Sequence, residues 1–181
     1  MAKQKKVLLG VTGSIAAYKS AEIIRRLMEK GLSVTVIMTK EAEHFITPLT
    51  LQALSGEKVY RRMFERGQPP EKMPHIDLAR EAEVFLIAPA TANIIGKLAG
   101  GIADDLLTCI ALATKAPILV APAMNTQMYE NSIVQENCRK LKKHGATFIE
   151  PVRGKLACGI TGKGHLADED SIIRAVLKAL K

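Results

Sequence analysis

Short apolar runs alternate along this chain with longer stretches in which apolar positions recur every three or four residues. Residues 7–11 form a β-branched-rich apolar run that reads as a buried strand, and Thr12-Gly13-Ser14 breaks it. Apolar residues at helical spacing then follow (Ile15, Ala16, Ile23, Ile24, Leu27), predicting a helix over 15–30 that Gly31 stops. Residues 33–39 predict a second strand and 41–54 a second helix, ending near Gly56. The stretch 67–74, with Pro69, Pro70 and Pro74, has no periodicity and reads as loop. His75 opens a short helical segment before a strand over 84–88, and residues 89–93 form a loop at that strand's end. Helical stretches cover 94–114, and a strand over 118–121 runs into Pro122-Ala123-Met124-Asn125. A helix over 133–144 ends at Gly145, a last short strand covers 147–149, and a Gly-rich irregular segment covers 151–164. An amphipathic helix over 171–180 closes the pattern.

Strands alternating with helices predict an α/β fold of three layers, Rossmann-like or flavodoxin-like, with a parallel sheet covered by helices on both faces. Residues 1–181 are expected to form one domain. In such sheets ligands bind beyond the carboxyl ends of the strands. Here those ends read Gly13-Ser14, Thr39, Pro89-Ala90-Thr91-Ala92-Asn93 and Pro122-Ala123-Met124-Asn125, all small, hydroxylated or amide-bearing.

Composition narrows the picture. Apolar residues make up 48%, Trp is absent and aromatics are scarce, so the core must be built from Ile, Leu, Val, Ala and Met. The formal net charge is +8, but the basic residues are scattered and not interleaved with aromatics, which argues against nucleic acid. That charge would favour encounter with a phosphorylated, anionic small molecule. Three cysteines (Cys109, Cys138, Cys158) without a C-x-x-C pair argue against a disulfide framework and a zinc site. Cys109 reads as core and Cys138 as incidental on a polar helix. No signal-peptide pattern and no apolar run of membrane-spanning length is present, so a cytoplasmic setting without membrane attachment is expected.

Gly10-Val11-Thr12-Gly13-Ser14 matches a dinucleotide turn only in part, because the third glycine of G-x-G-x-x-G is missing. The second strand ends in Met38-Thr39-Lys40, without the acid that grips an adenosine ribose. Ser14 capping a helix start suits a mononucleotide phosphate better than NAD, and an unliganded strand-to-helix turn explains the segment equally well. Thr91 and Asn93 suit flavin contacts and helix capping alike. Asp104-Asp105 reads as charge at a helix start rather than a metal pair.

Five segments stand in register with one known group. They are Val11-Thr12-Gly13-Ser14-Ile15-Ala16-Ala17-Tyr18, Pro74-His75-Ile76-Asp77-Leu78, Pro89-Ala90-Thr91-Ala92-Asn93, Pro122-Ala123-Met124-Asn125, and Gly154-Lys155-Leu156-Ala157-Cys158-Gly159 with Gly162-Lys163-Gly164. Together they make the chain resemble the homo-oligomeric flavin-containing cysteine decarboxylases over nearly its whole length. The resemblance implies FMN held between subunits of a homotrimer, often assembled further into a dodecamer. It also implies FMN contacts from Gly13, Ser14, Ile15, Thr39, Thr91, Ala92, Asn93, Ile94 and Ala123. Asn125 would bind the substrate carboxylate and His75 would sit beside the flavin. Lys155, Leu156 and Ala157 would belong to a flexible flap, about 151–168, that closes on the substrate, with Cys158 as proton donor.

The implied reaction is decarboxylation of 4′-phosphopantothenoylcysteine to 4′-phosphopantetheine in coenzyme A biosynthesis. The cysteinyl thiol is oxidised, CO2 leaves, and the electrons return with a proton. In many bacteria such a domain is fused to a phosphopantothenoylcysteine synthetase. Alternatives on the same architecture are a decarboxylase of a peptide C-terminal cysteine and a flavin prenyltransferase. The chain departs from the family at Glu41, where a small hydroxyl residue is usual. It departs again at His165, where the flap usually ends in Arg; a His there makes that grip pH-dependent.

Overall fold

The apolar runs pair side by side in the computed structural model, which describes residues 4–64, 73–155 and 161–181. In chain order, β1 (Lys6–Val11) leads through a 3-10 helix (Ile15–Lys19) into α1 (Ser20–Glu29). Then come β2 (Ser33–Met38), a 3-10 helix (Lys40–His44), α2 (Pro48–Ser55), β3 (Val59–Tyr60) and α3 (Pro74–Glu81). The middle of the chain forms β4 (Val84–Ala90), α4 (Ala92–Gly100), α5 (Leu106–Ala113) and β5 (Ile118–Pro122). The last part forms α6 (Thr126–Glu130), α7 (Ser132–Lys143), β6 (Thr147–Phe148), β7 (Val152–Lys155), β8 (Thr161–His165) and α8 (Glu169–Ala179).

The main sheet has six strands in the order β3-β2-β1-β4-β5-β6, every pair parallel. Its strands are apolar throughout because both faces are covered; all seven residues of β4 are buried. Alternation assigns the faces. Val7, Leu9, Val11 and Leu86 pack with α1 and α8 through Ile23, Leu27, Ile172 and Val176. Leu8, Phe85 and Ile87 pack on the other side with Ile94, Ile95, Leu107 and Ile110. The strand order reverses between β1 and β4, which opens a crevice at their carboxyl ends.

The three-layer α/β expectation holds, and the differences from it are local. The helix expected over 15–30 divides at Ser20, whose buried hydroxyl donates to Ala88 O at 3.2 Å and draws α1 onto β4. The helix expected over 41–54 breaks at Pro48, because a residue before proline is pushed out of the helical region. Thr47 is extended (φ −80°, ψ 147°) and its hydroxyl caps α2. Gly101, at φ +69°, ends α4 and divides the helical stretch expected over 94–114. The segment expected to be irregular over 151–164 contains an antiparallel hairpin in its described part, with Lys155 in register with Thr161. The cysteine expectations reverse: Cys138 is buried in the core, whereas Cys109 is partly exposed with its Sγ near Ala103 O.

Candidate functional site

A cavity of about 640 Å³ lies at the crevice between the ends of β1 and β4, within the roughly 300–1,000 Å³ usual for small-molecule sites. Its wall is assembled from the strand ends. Thr12 ties the two central strands together: its hydroxyl donates to Pro89 O at 2.7 Å and accepts from Thr91 N at 3.1 Å. Both hydrogen-bonding roles of that buried hydroxyl are therefore used, and the crevice has a fixed width.

Beyond Thr12, Gly13 comes so close to the turn after β2 that a Cβ there would lie 2.4 Å from Glu41 Cβ. Only glycine lets these loops meet. Ser14 caps the following 3-10 helix by accepting from Ala16 N. Thr39 also lines the cavity; its backbone N–H donates to Val11 O at 3.0 Å, yet its buried Oγ1 has no hydrogen-bond partner among the described residues. A buried polar atom without a partner is costly, so this hydroxyl is suited to a ligand's acceptor or donor.

The opposite wall comes from β4 and β5. Thr91 caps α4 by accepting from Ile94 N, and Ala123 N donates to Ala90 O at 3.0 Å. Asn125 caps α6, its Oδ1 accepting from Gln127 N at 2.8 Å, and it lines the cavity at the same time. The mouth is bounded by the second hairpin strand. Met124 N donates to Gly164 O at 3.0 Å, and His165 lines the cavity with Nδ1 3.1 Å from Leu166 O. Gly164 has φ +143°, and a Cβ there would lie 2.3 Å from Met124 O. The hairpin glycines 162 and 164 thus permit close seating on the β5 loop.

Of the residues singled out from the sequence, the cavity brings together Gly13, Ser14, Ile15, Thr39, Thr91, Ala92, Asn93, Ile94, Ala123 and Asn125. His75 is not among its lining residues. It sits in the first turn of α3, where its Nδ1 is buried without a partner among the described residues. Leu156, Ala157 and Cys158 lie outside the described residues, and Lys155 ends β7.

Sequence reasoning passed over Thr12, Lys19 and Met128, which also line the cavity. Thr12 stands inside the quoted strand-end run, where a hydroxyl between a buried strand and a glycine was the available signal. Lys19 is held by Glu169 at 3.0 Å, an ion pair joining distant parts of the chain.

Asp104 and Asp105 serve structure. Asp105 forms a capping box with Thr108 at the start of α5, and Lys97 bridges Asp104 at 2.8 Å and Asp105 at 3.3 Å. The hydrogen bond from Lys97 holds Asp104 below the usual carboxylate range. Among the described residues no group of three His, Cys, Asp or Glu side chains could hold a metal ion, and no helix is long and apolar enough to cross a membrane.

A family model described as Flavoprotein matches residues 1–181. The coenzyme A biosynthesis bifunctional protein CoaBC of Bacillus subtilis (strain 168) is 47% identical over 178 residues. That match takes in 98% of this chain and 44% of the relative, so the chain spans less than half the length of this bifunctional relative. A probable phosphopantothenoylcysteine decarboxylase of Streptococcus mutans serotype c is 48% identical over 178 residues, covering 97% of this chain and 99% of that protein. Among solved structures, a cysteine-to-serine mutant of PPC decarboxylase complexed with pantothenoylaminoethenethiol superposes with a TM-score of 0.84 at 34% identity. That superposition covers 97% of this chain and 98% of the other. The FMN-dependent cysteine decarboxylase SpaF gives a TM-score of 0.84 at 30% identity, covering 98% of each chain.

Proposed function

The chain belongs to the Flavoprotein family, and on that premise we propose that it is an FMN-dependent decarboxylase converting 4′-phosphopantothenoylcysteine into 4′-phosphopantetheine. The observation that carries the reading is the strand-end cavity, which joins a tight turn and a buried hydroxyl without a partner among the described residues on one side to the Asn125 cap on the other. That set fits FMN. Gly13, Ser14, Ile15 and Thr39 would hold its phosphate and chain, while Thr91, Ala92, Asn93, Ile94 and Ala123 would contact the rest. When bound, FMN supplies the two-electron acceptor and donor that no side chain here provides.

The chain's own residues bind, orient and move protons. Asn125, whose Oδ1 accepts from Gln127 N–H, would bind the substrate carboxylate through its side-chain amide. An uncharged donor positions that carboxylate without the charge that would favour its retention. His75 would take the thiol proton, the task of an imidazole near neutral pH. It is not among the residues that line the cavity, and a neighbouring copy in a homo-oligomer would supply it. Apolar side chains left exposed at the cavity rim, Ile15 (56%), Tyr18 (58%) and Met128 (49%), support a homo-oligomer that covers them, a trimer or a dodecamer built from trimers. Cys158, on the resemblance alone, would donate the final proton; a thiol with a pKa of about 8.5 is largely protonated at neutral pH. The free thiols Cys109 and Cys138 accord with a reducing cytoplasm. A phosphopantothenoylcysteine synthetase, as fused domain or partner, is proposed from the bifunctional relatives.

Incubation of the flavin-loaded protein with 4′-phosphopantothenoylcysteine, and separately with a peptide ending in cysteine, tests the substrate. Turnover of the first alone is expected. Turnover of the peptide alone would replace this reading with that of a peptide-modifying decarboxylase.

A further inference from the structure

Next to the proposed site lies a polar cluster to which the reaction as described assigns no role. Glu150, just beyond β6, accepts hydrogen bonds from Lys142 Nζ at 2.8 Å, Tyr129 Oη at 2.9 Å and Lys163 Nζ at 3.3 Å. These donors belong to α7, α6 and β8, so one carboxylate ties the hairpin to two helices. Lys163 Nζ also lies 5.4 Å from the centroid of the Tyr129 ring. Burial pushes the Tyr129 phenol well above its ordinary range, and the bond to Glu150 acts in the same direction, so it remains a donor. Burial opposes ionisation of Glu150, but its three donors outweigh that effect and hold the carboxyl at about 2.

Two connections run from this cluster to the substrate side of the cavity. Tyr129 N donates to Asn125 O at 2.9 Å, which joins the tyrosine's backbone to the capping residue. On β8, Gly162 and Gly164 flank Lys163. A Cβ on Gly162 would lie 2.2 Å from Thr126 Oγ1, and Gly164 packs against Met124 O. Successive side chains of a strand point to opposite faces, so Lys163 reaches Glu150 while its neighbours rest on residues 124–126. Thr12, Thr39 and Thr91 belong to other loops, where they bond one another, Pro89, Ile94 and Val11.

We propose that Glu150 is a positioning residue: by gripping Tyr129 and Lys163 it seats β8 on the 124–126 turn and so sets the placement of Asn125 against the substrate carboxylate. The inference rests on the proposed decarboxylase reading. Its kinetic signature is a change in substrate affinity without a change in flavin affinity.

The test uses the flavin-loaded full chain with Glu150→Ala, Lys163→Met and Lys163→Arg. In Glu150→Ala and Lys163→Met, KM for 4′-phosphopantothenoylcysteine should rise on the order of tenfold, the equivalent of one lost charge-assisted bond. In the same variants kcat should change by no more than about twofold, as expected when binding rather than the transition state is affected. Flavin affinity by titration should stay unchanged, and Lys163→Arg should restore the wild-type KM. Wild-type KM in both Glu150→Ala and Lys163→Met would overturn the proposal, as would a parallel loss of flavin affinity and melting temperature in both. Amide exchange over 162–165 provides a readout without turnover, expected to speed up in Glu150→Ala. Unchanged exchange would defeat the positioning role even if wild-type protein proved inactive on this substrate, an outcome that would sink the decarboxylase reading separately.

Discussion

Asn125 caps α6 through Oδ1 and lines the cavity, so the proposed carboxylate contact would share a side chain with a helix cap. Asn125→Asp separates the two, because aspartate caps as well as asparagine but repels a carboxylate. The variant should keep its melting temperature and its flavin while losing turnover, whereas Asn125→Ala should also lose about 1 kcal/mol of stability with the cap. Thermal melts beside CO2 assays check both; full activity in the aspartate variant would remove Asn125 from carboxylate binding. Gly13 offers a contrasting case, since an added Cβ would strike Glu41. Gly13→Ala forces the two loops apart at a cost of about 1–3 kcal/mol, typical of overpacking. It should therefore purify largely without flavin, measured by visible absorbance. Glu41 has a backbone role here as well: it closes one side of the turn that Gly13 needs.

Among the elements, the long apolar strands were readable from the chain because β1 and β4 are buried on both faces and tolerate little but aliphatic residues. Their ends pointed to the site for the same reason: hydroxyls and amides that interrupt such runs have no packing purpose. The helix divisions were harder to see, since Ser20 turns the chain through a tertiary bond to Ala88 that periodicity does not encode. Thr47-Pro48 was legible by its capping chemistry, yet the apolar spacing on both sides masked it. The hairpin was hidden because its glycines answer to Thr126 and Met124, residues far away in sequence. Glu150 and Tyr129 went unnoticed for that reason too, and Lys163 stood out only as part of a glycine motif.

That cluster gives the hairpin a definite response to acid. Glu150 ionises at about 2 in the folded chain against 4.5 ordinarily, so the unfolded state binds more protons between those values. Its contribution is complete above about pH 4.5 and fades as pH falls toward 2. Hydrogen exchange over 162–165 should therefore be flat from neutral pH to about 5, after correction for intrinsic rates, and rise below it. Lys163→Met should shrink the rise, and an identical profile in that variant would contradict the assignment.

For the whole molecule, His75 is the residue on which the proposed sharing of a site between copies turns. It is not among the residues that line the cavity, although ten residues named from the sequence converge there. Because a pattern within one chain reports only that chain's own packing, the sequence alone could not separate a residue of the same cavity from one offered to a neighbour. Mixing inactive His75→Asn chains with inactive Asn125→Asp chains should restore part of the activity if each cavity draws on two copies, as measured after co-refolding. No recovery in verified mixed oligomers would place His75 in its own subunit's site or remove it from the reaction. The net charge of +8 acts at this same scale, since a positive field favours encounter with a phosphorylated substrate. The central claim, a redox-neutral flavin decarboxylase, is tested most directly by anaerobic incubation of the flavin-loaded protein with 4′-phosphopantothenoylcysteine and no added oxidant or reductant. Equal amounts of CO2 and 4′-phosphopantetheine, over many turnovers, are predicted; flavin-loaded protein that releases no CO2 would contradict it.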